Sequence, residues 1–282
     1  MTSTAHHPDV PRDDVFSTRV RGRTLRVAIR RATADGPRRT PLLLLNGIGA
    51  TLEVLDPFVD ALPPNLEVIR FDVPGVGGSP DPTMPYHMST FALLVGRLVT
   101  QLGYGEVDVL GFSWGGGLAQ QVAISGRRWV RKLVLVATGT GSLMVPARPN
   151  VLSRMLTPRR HQDPEYAARI AGEIYGGTMR TNPQKAPRAL HAGDHGGPGR
   201  GYYYQLLAGV GWTTLPFLNM IHQPTLIVAG DDDPIVPVVN ARLMTRGIPD
   251  ARLHLYRGGH LALVTEADEL APVIDEFLTG RA

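Results

Sequence analysis

The five residues GFSWG at 111–115 place a serine between two glycines in the pattern G-x-S-x-G. The apolar segment VDVL precedes them and the helical pattern GGLAQQVAIS follows, which is the strand–turn–helix setting of a nucleophile elbow. Such a turn strains the backbone, and Gly111 and Gly115 would leave room for the crossing chain. The pattern therefore predicts that Ser113 is the nucleophile of an acyl-transfer reaction, beside the positive end of the following helix.

A serine hydroxyl is a weak nucleophile and requires a general base. Among the nine histidines, His260 alone falls in a loop just past the last predicted strand, in the segment RGGHLALV. Gly258 and Gly259 would let this loop approach the serine. A base that comes last along the chain also fits one of the known orders of a Ser–acid–His set. We predict that His260 is the base, and we expect the histidines between residues 141 and 221 at the surface.

The carboxylate that orients the base is expected in the segment AGDDDPIVP (229–237), directly after the apolar strand TLIVAG. Three consecutive aspartates, Asp231, Asp232 and Asp233, stand there. Pro234 biases the backbone of Asp233 toward the extended region, whereas Asp231 suits a local hydrogen bond within the turn. Composition and position alone leave the choice among the three carboxylates open.

The oxyanion of a tetrahedral intermediate requires at least two positioned donors. One is expected from the backbone N–H of Trp114, the residue after the serine. The other is expected from Ile48 N–H in the loop NGIGA (46–50), which follows the apolar run PLLLL. Asn46 opens this loop, and we expect its side chain to shape the loop and to contact the substrate.

A parallel sheet would position these residues, because strand and helix patterns alternate along the chain. Strands are predicted at 24–32 (an edge strand), 41–47, 66–75, 107–113, 132–139, 225–230 and 251–256. Helices are predicted at 89–102, at 116–125 and at the C-terminus, where an amphipathic stripe comprises Leu270, Val273, Ile274, Phe277 and Leu278. We predict an α/β fold with a mostly parallel central sheet and helices on both faces.

The alternation of strand and helix patterns is interrupted between residues 141 and 221, where no comparable buried strand is predicted. This stretch holds Pro- and Arg-rich turns, the helical pattern YAARIAGEIYGG and the aromatic segment GYYYQLLAGVGW. We expect an inserted helical lid at 141–221, a core at 16–140 and 222–282, and a flexible N-terminal tail at 1–15.

The charge balance excludes little by itself: the 282 residues carry a formal net charge of +4. Much of the excess is arginine between Arg12 and Arg39, without a basic helix of interleaved aromatic residues. We therefore expect a solvated basic edge and no nucleic-acid partner. The polar N-terminus and the lack of an apolar run of about 20 residues predict a cytoplasmic protein without a transmembrane segment.

Metal and cofactor sites are not expected. The chain has no cysteine, which excludes disulfides, cysteine nucleophiles and cysteine-based zinc sites. The segment GVGGSP (75–80) lacks the third glycine of a dinucleotide-binding loop, and no metal-ligand spacing such as H-E-x-x-H occurs.

Several segments together resemble the α/β-hydrolase superfamily and, more narrowly, intracellular medium-chain-length poly(3-hydroxyalkanoate) depolymerases. The resemblance covers roughly residues 41–282. The segments most specific to this family are NGIGA, FDVPGVGGS and YYYQLLAGVGW. The resemblance also includes the longer segments PLLLLNGIGATLEVLDPFVDAL, KLVLVATGTGSLMVPARPNVL and QPTLIVAGDDDPIVP. Superfamily members are similar to the frame G-x-x-D-x-x-x-P, which Gly230, Asp233 and Pro237 fit. The resemblance thus implies Asp233 as the acid, with Asp232 as the second candidate.

The resemblance implies a serine hydrolase that cleaves a stored bacterial polyester by an acyl-enzyme mechanism and releases 3-hydroxy acids or oligomers. A polyester granule would then be its partner and its place in the cell. Substrate contacts are expected from Asn46, Met144, Tyr203 and Trp212. Two alternatives stay open: a small-molecule carboxylesterase or carbon–carbon bond hydrolase with the same triad, and a non-catalytic ligand-binding protein of this fold.

Overall fold

The computed structural model of the protein describes residues 13–33, 37–191 and 199–280. These residues form an eight-stranded sheet in the spatial order β1-β2-β4-β3-β5-β6-β7-β8. The strands are Asp13–Val20 (β1), Arg23–Arg30 (β2), Leu42–Leu45 (β3), Val68–Phe71 (β4), Val107–Phe112 (β5), Val130–Val136 (β6), Thr225–Gly230 (β7) and Ala251–Tyr256 (β8). Strands β3 to β8 run parallel to one another, whereas β2 is antiparallel to both of its neighbours.

Two predictions at the N-terminus are corrected. The strand predicted at 24–32 is not at the edge, because β1 pairs with β2 in register from Asp13 opposite Arg30 to Val20 opposite Arg23. Residues 13–15 of the predicted tail 1–15 therefore belong to a strand, while residues 1–12 lie outside the described part. Most of β1 is solvent-exposed, so it lacks the apolar run that indicates a buried strand.

Helices cover both faces of the sheet. The helices of the core are Asp56–Ala61 (α1), Met88–Gln101 (α2), Trp114–Ser125 (α3), Val239–Gly247 (α9), Ala262–Thr265 (α10) and Ala267–Thr279 (α11). Helices α2, α3 and α9 pack on one face, and α1, α10 and α11 pack on the other. Among the described helices none is long and apolar enough to cross a membrane.

Period-two alternation along the strands builds two hydrophobic cores. In β3, Leu43 and Leu45 belong to one core, whereas Leu42 and Leu44 belong to the other. Because successive side chains of a strand point to opposite faces, a continuous run of leucines is required when both faces are covered. This explains why the parallel strands are apolar throughout.

An insertion joins β6 to β7. Its described residues form the helices Pro149–Met155 (α4), Pro164–Tyr175 (α5), Thr178–Thr181 (α6), Lys185–Leu190 (α7) and Arg200–Gly209 (α8), with 3-10 turns at Pro158–His161 and Leu215–Met220. The two ends of the insertion meet in a short antiparallel bridge between Gly141 and Thr213. Ser142 N–H donates to Trp212 O at 2.8 Å, and Thr214 N–H donates to Thr140 O at 2.9 Å.

The expectation of a solvated basic edge holds for only part of the early arginines: Arg19, Arg21, Arg31 and Arg38 are exposed, whereas Arg26 and Arg30 are not. Arg30 is 2 % exposed and donates to the backbone carbonyls of Val59, Leu62, Pro63 and Leu66 around the end of α1. Arg26 pairs with Glu53 at 2.6 Å and with the buried Asp72 at 3.1 Å. Such charge-assisted bonds satisfy buried acceptors and hold loops together.

Candidate functional site

The turn after β5 has the geometry of an elbow. Ser113 has φ +54° and ψ −119°, one of three positive φ values among the described non-glycine residues. Its N–H donates to Val136 O at 2.9 Å, and its carbonyl accepts from Thr138 Oγ1 at 2.7 Å. A Cβ on Gly111 would collide with Gly116 Cα at 2.6 Å, and one on Gly115 would collide with the backbone of β3. The small residues of the motif thus allow the turn to cross its neighbours.

Three of the predicted residues lie in one hydrogen-bonded chain. His260 Nε2 is 2.9 Å from Ser113 Oγ, and His260 Nδ1 is 2.8 Å from Asp233 Oδ2. His260 and Asp233 are buried, at 3 % and 8 % exposure. This arrangement lets Nδ1–H donate to the carboxylate while Nε2 accepts the serine proton.

The three consecutive aspartates have three different partners. Asp233 Oδ1 accepts from the N–H groups of Ile235 and Val236, both at 2.9 Å, so its other oxygen is left for the histidine. Asp231 accepts from Gly258 N–H at 3.1 Å. The third carboxylate, that of Asp232, points to the insertion instead. Of the three aspartates, all of them described, only Asp233 has its side chain hydrogen-bonded to His260.

The insertion supports the histidine loop from one side. His260 N–H donates to Tyr175 O at 2.7 Å, at the end of α5. Asp232 accepts from Gly177 N–H at 2.7 Å and from two nitrogens of Arg180, each also at 2.7 Å. The hydrogen bonds from Arg180 lower the pKa of the Asp232 carboxyl. Helix α6 is therefore tied to the loop that carries the acid.

Both predicted oxyanion donors border the same cavity as the serine. Ile48 and Trp114 line it together with Ser113. Trp114 is the first residue of α3, so its N–H has no acceptor within the helix. Ile48 N–H likewise makes no hydrogen bond to a described residue. Two residues with free backbone N–H groups thus line the cavity that Ser113 lines.

The cavity above the serine is mostly apolar and has a volume of about 390 Å³. Its apolar lining comes from the core and from the insertion: Met88, Met144, Pro146, Ala147, Leu152, Met155, Leu206, Trp212, Ile235 and Val236. This volume and lining are typical of a site for a small, largely apolar ligand.

Two of the four predicted substrate contacts line the cavity, and two do not. Met144 and Trp212 belong to the lining. Asn46 does not, because its side chain is engaged within its own loop, accepting from Gly47 N–H at 2.8 Å and donating to Thr51 O at 2.6 Å. Tyr203 does not either, because it is 47 % exposed on the outside of α8. The expected loop-shaping role of Asn46 agrees with its contacts.

A residue that the sequence did not indicate joins the insertion to the site. Gln205, on α8, is 1 % exposed and accepts from Gly49 N–H at 2.9 Å across 156 positions of the chain. Its carbonyl accepts from Trp114 Nε1, also at 2.9 Å. A contact of such sequence separation leaves no local pattern, so composition and periodicity could not reveal it.

The histidines of the insertion are not all at its surface, so that expectation is wrong for His161. This side chain is 5 % exposed beside Arg160 and finds no hydrogen-bond partner among the described residues. Burial, with the nearby Arg160 charge, holds the pKa of His161 well below its ordinary value. Its neutral ring packs against Tyr202 with centroids 6.0 Å apart. His195, also predicted at the surface, lies outside the described residues.

Metal-binding geometry is not found in the described ranges, where no three carboxylate or imidazole groups are placed to share an ion.

Comparison with known proteins places this geometry in a family context. A family model described as alpha/beta hydrolase fold matches residues 40–267. The chain is 50% identical over 252 residues, 89% of each sequence, to a poly(3-hydroxyalkanoate) depolymerase of Ectopseudomonas oleovorans. It is 29% identical to a 2-hydroxy-6-oxononadienedioate/2-hydroxy-6-oxononatrienedioate hydrolase of Klebsiella pneumoniae, covering 91% of this chain and 92% of that one.

A solved structure shows the same fold. The enol-lactonase from Burkholderia xenovorans LB400 superimposes with a TM-score of 0.80 at 22% identity, over 94% of this chain and 100% of the other. The family model and this structure confirm the predicted fold, and the 50% identity to the depolymerase of Ectopseudomonas oleovorans confirms the resemblance to polyester depolymerases.

Proposed function

The chain belongs to the α/β-hydrolase fold family, and from this premise we propose that it is a serine hydrolase that cleaves the ester bonds of a poly(3-hydroxyalkanoate). The observation that carries the proposal is the continuous hydrogen-bonded chain from Asp233 through His260 to Ser113, which lines an apolar cavity. The 50% identity to a poly(3-hydroxyalkanoate) depolymerase supports the choice of substrate.

The reaction begins with attack of Ser113 Oγ on the ester carbonyl while His260 Nε2 takes the hydroxyl proton. Asp233 holds the imidazole in the tautomer with Nδ1 protonated and stabilises the imidazolium that forms. The carbonyl oxygen becomes an oxyanion between Ile48 N–H and Trp114 N–H. Collapse of the intermediate transfers the proton from Nε2 to the departing alcohol and leaves an acyl-enzyme.

Deacylation repeats these steps with water. His260 removes a proton from the water, the hydroxide attacks the acyl carbon, and the second tetrahedral intermediate releases the acid as Ser113 regains its proton. The products are a 3-hydroxy acid or a shortened oligomer. No metal and no organic cofactor takes part in this scheme.

The insertion serves as a lid in this proposal, with residues 141–221 above a core of 16–140 and 222–282. It supplies Met144, Met155 and Trp212 to the cavity, where they would contact the alkyl side chain of a monomer unit. Burial of an alkyl chain there contributes about 0.8 kcal/mol for each methylene group. The natural substrate would be the polymer of an intracellular granule, and the enzyme would work at its surface.

One experiment separates the enzyme from a binding protein of the same fold. A fluorophosphonate probe should label the wild type and should not label Ser113→Ala, because the probe reports an activated serine. Gln223→Met changes a buried residue just before the start of β7, whereas Ser113 follows the end of the parallel strand β5, so this variant should be labelled like the wild type. If the folded wild-type protein were not labelled, the proposal would be wrong.

A second experiment tests the substrate. Granules of poly(3-hydroxyoctanoate) incubated with the enzyme should release 3-hydroxyoctanoate or its oligomers, detected by mass spectrometry. Rapid hydrolysis of p-nitrophenyl esters without any release from granules would indicate a small-molecule esterase instead.

A further inference from the structure

The three most particular sequence segments come together at helix α8. The loop NGIGA contributes Gly49 N–H, and the segment YYYQLLAGVGW contributes Gln205, which accepts from it at 2.9 Å. The segment FDVPGVGGS contributes Gly75, which packs so closely on Gly201 of α8 that a Cβ on Gly75 would lie 2.5 Å from Gly201 Cα. Helix α8 is thus seated against both loops.

The loop that offers the Ile48 donor is a tight turn that depends on this contact. Ala50 N–H donates to Gly47 O at 3.2 Å, and Gly49 has φ +69°, the positive value that a type II turn requires at its third residue. The central N–H of such a turn, here that of Gly49, is not used by the turn itself. It is buried, and Gln205 Oε1 is its acceptor. The side chain therefore fixes the peptide next to Ile48.

Packing alone does not require an amide at position 205. Gln205 Nε2 is buried and finds no acceptor in the described part of the chain. A buried polar group without a partner is destabilising, and an apolar side chain of the same length would avoid that cost. The hydrogen bond to Gly49 is the side-chain contact that accounts for glutamine here.

The same residue also reaches the nucleophile elbow. Trp114 Nε1 donates to the carbonyl of Gln205 at 2.9 Å, and Trp114 N–H is the second donor of the proposed oxyanion hole. One residue of the insertion thus contacts both halves of the hole, the loop with its side chain and the elbow with its backbone.

Building on the function proposed above, we infer that Gln205 is a positioning residue for the oxyanion hole. It holds the turn that presents Ile48 N–H, and it does so from helix α8 of the insertion. The oxyanion hole is complete only while α8 packs against the two loops. Because α8 also contributes to the cavity lining, closure of the cavity and stabilisation of the transition state depend on the same helix.

The test replaces Gln205 by methionine, which keeps the length of the side chain and removes the acceptor. We expect kcat on p-nitrophenyl octanoate to fall about 10- to 100-fold, less than the 100- to 1,000-fold typical of a deleted donor, because Ile48 N–H is displaced and not removed. KM should change less than about twofold, since the ground-state contacts of the cavity remain. The thermal midpoint should stay within about 3 °C of the wild type.

Binding of octylboronic acid separates a positioning role from a structural one. Its tetrahedral serine adduct places an oxygen in the oxyanion hole, so its inhibition constant should rise by about the factor by which kcat falls. The matched control is Gln223→Met. Gln223 is buried and donates to Ala123 O at 3.1 Å, far from the serine, and this variant should keep wild-type kcat and inhibition.

The outcomes distinguish the inference from the proposed function. If the wild type hydrolyses the ester, Ser113→Ala does not, and Gln205→Met matches the wild type, the inference on Gln205 is wrong and the function stands. A fall in kcat with unchanged boronate inhibition would also overturn it. If Ser113→Ala keeps the activity of the wild type, the proposed function itself fails.

Discussion

Replacing Asp233 by asparagine should abolish turnover while leaving the fold intact. The reason is that Asp233 Oδ1 accepts hydrogen bonds from two backbone N–H groups, those of Ile235 and Val236. An asparagine must keep its carbonyl oxygen toward these donors, because turning the amide would leave two N–H groups unpaired at a cost of about 2–6 kcal/mol in total. The amide NH₂ then faces His260.

This orientation imposes the wrong tautomer on the base. The NH₂ group donates to His260 Nδ1, so the ring proton moves to Nε2, which can then no longer accept the proton of Ser113. We expect kcat to fall about 10⁴-fold, or about 5.5 kcal/mol in activation free energy, with little change in KM. The assay is p-nitrophenyl ester hydrolysis at saturating substrate, with circular dichroism and thermal unfolding to verify the fold.

The neighbouring aspartates supply the controls, because the same substitution can be made at each. Asp231→Asn and Asp232→Asn should keep kcat within about threefold of the wild type, since their carboxylates contact Gly258, Gly177 and Arg180 and not the imidazole. A tenth or more of wild-type activity in Asp233→Asn would refute the reasoning. If Asp232→Asn were inactive while Asp233→Asn kept its activity, the acid of the triad would be Asp232 and not Asp233.

Three further outcomes are expected. Trp212→Ala should lower kcat/KM for p-nitrophenyl octanoate about tenfold relative to the acetate ester, because about 1.4 kcal/mol of apolar contact is lost only for the longer chain; an equal loss for both esters would contradict this role. Arg180→Ala should lower the free energy of unfolding by about 0.5 kcal/mol, and ~1 M NaCl should remove most of that difference, since the pair with Asp232 is partly exposed. Because the folded pKa of His161 lies well below its unfolded value of about 6.5, the free energy of unfolding should fall as the pH drops from about 6.5 to 5. His161→Leu should weaken that dependence in denaturant titrations, and an unchanged slope would contradict the buried neutral ring.

The parallel strands and the elbow could be predicted because they depend on local patterns. Strands β7 and β8 have the predicted bounds, and β3 to β6 differ from theirs by a few residues. A strand covered on both faces needs a continuous apolar run, and that requirement is visible in the sequence itself. The choice of Asp233 among the three aspartates came from the resemblance to the superfamily frame G-x-x-D-x-x-x-P and not from the strand pattern.

Features that depend on long-range packing could not be predicted. Strand β1 is mostly exposed and polar, so only its pairing with β2 defines it. Tyr203 and Leu206 lie on the same short helix, yet only Leu206 lines the cavity. The way α8 packs on the core decides which side of the helix faces the cavity. Gln205 lies between them and carries no motif. Gln205 belongs to the site because its side chain accepts a hydrogen bond from Gly49, 156 positions away in the sequence.

The bridge between Gly141 and Thr213 has a consequence for how such enzymes diversify. Because the two ends of the insertion are joined there, the core closes the chain at that point whatever lies between. Doubling the length of a flexible loop costs only about 0.6 kcal/mol in closure entropy. Segments of different length can therefore be exchanged between these two ends while β6 and β7 keep their places. An exchanged segment must still supply the contacts that Tyr175, Arg180 and Gln205 make to the site, so substrate range can evolve in the rest of the insertion.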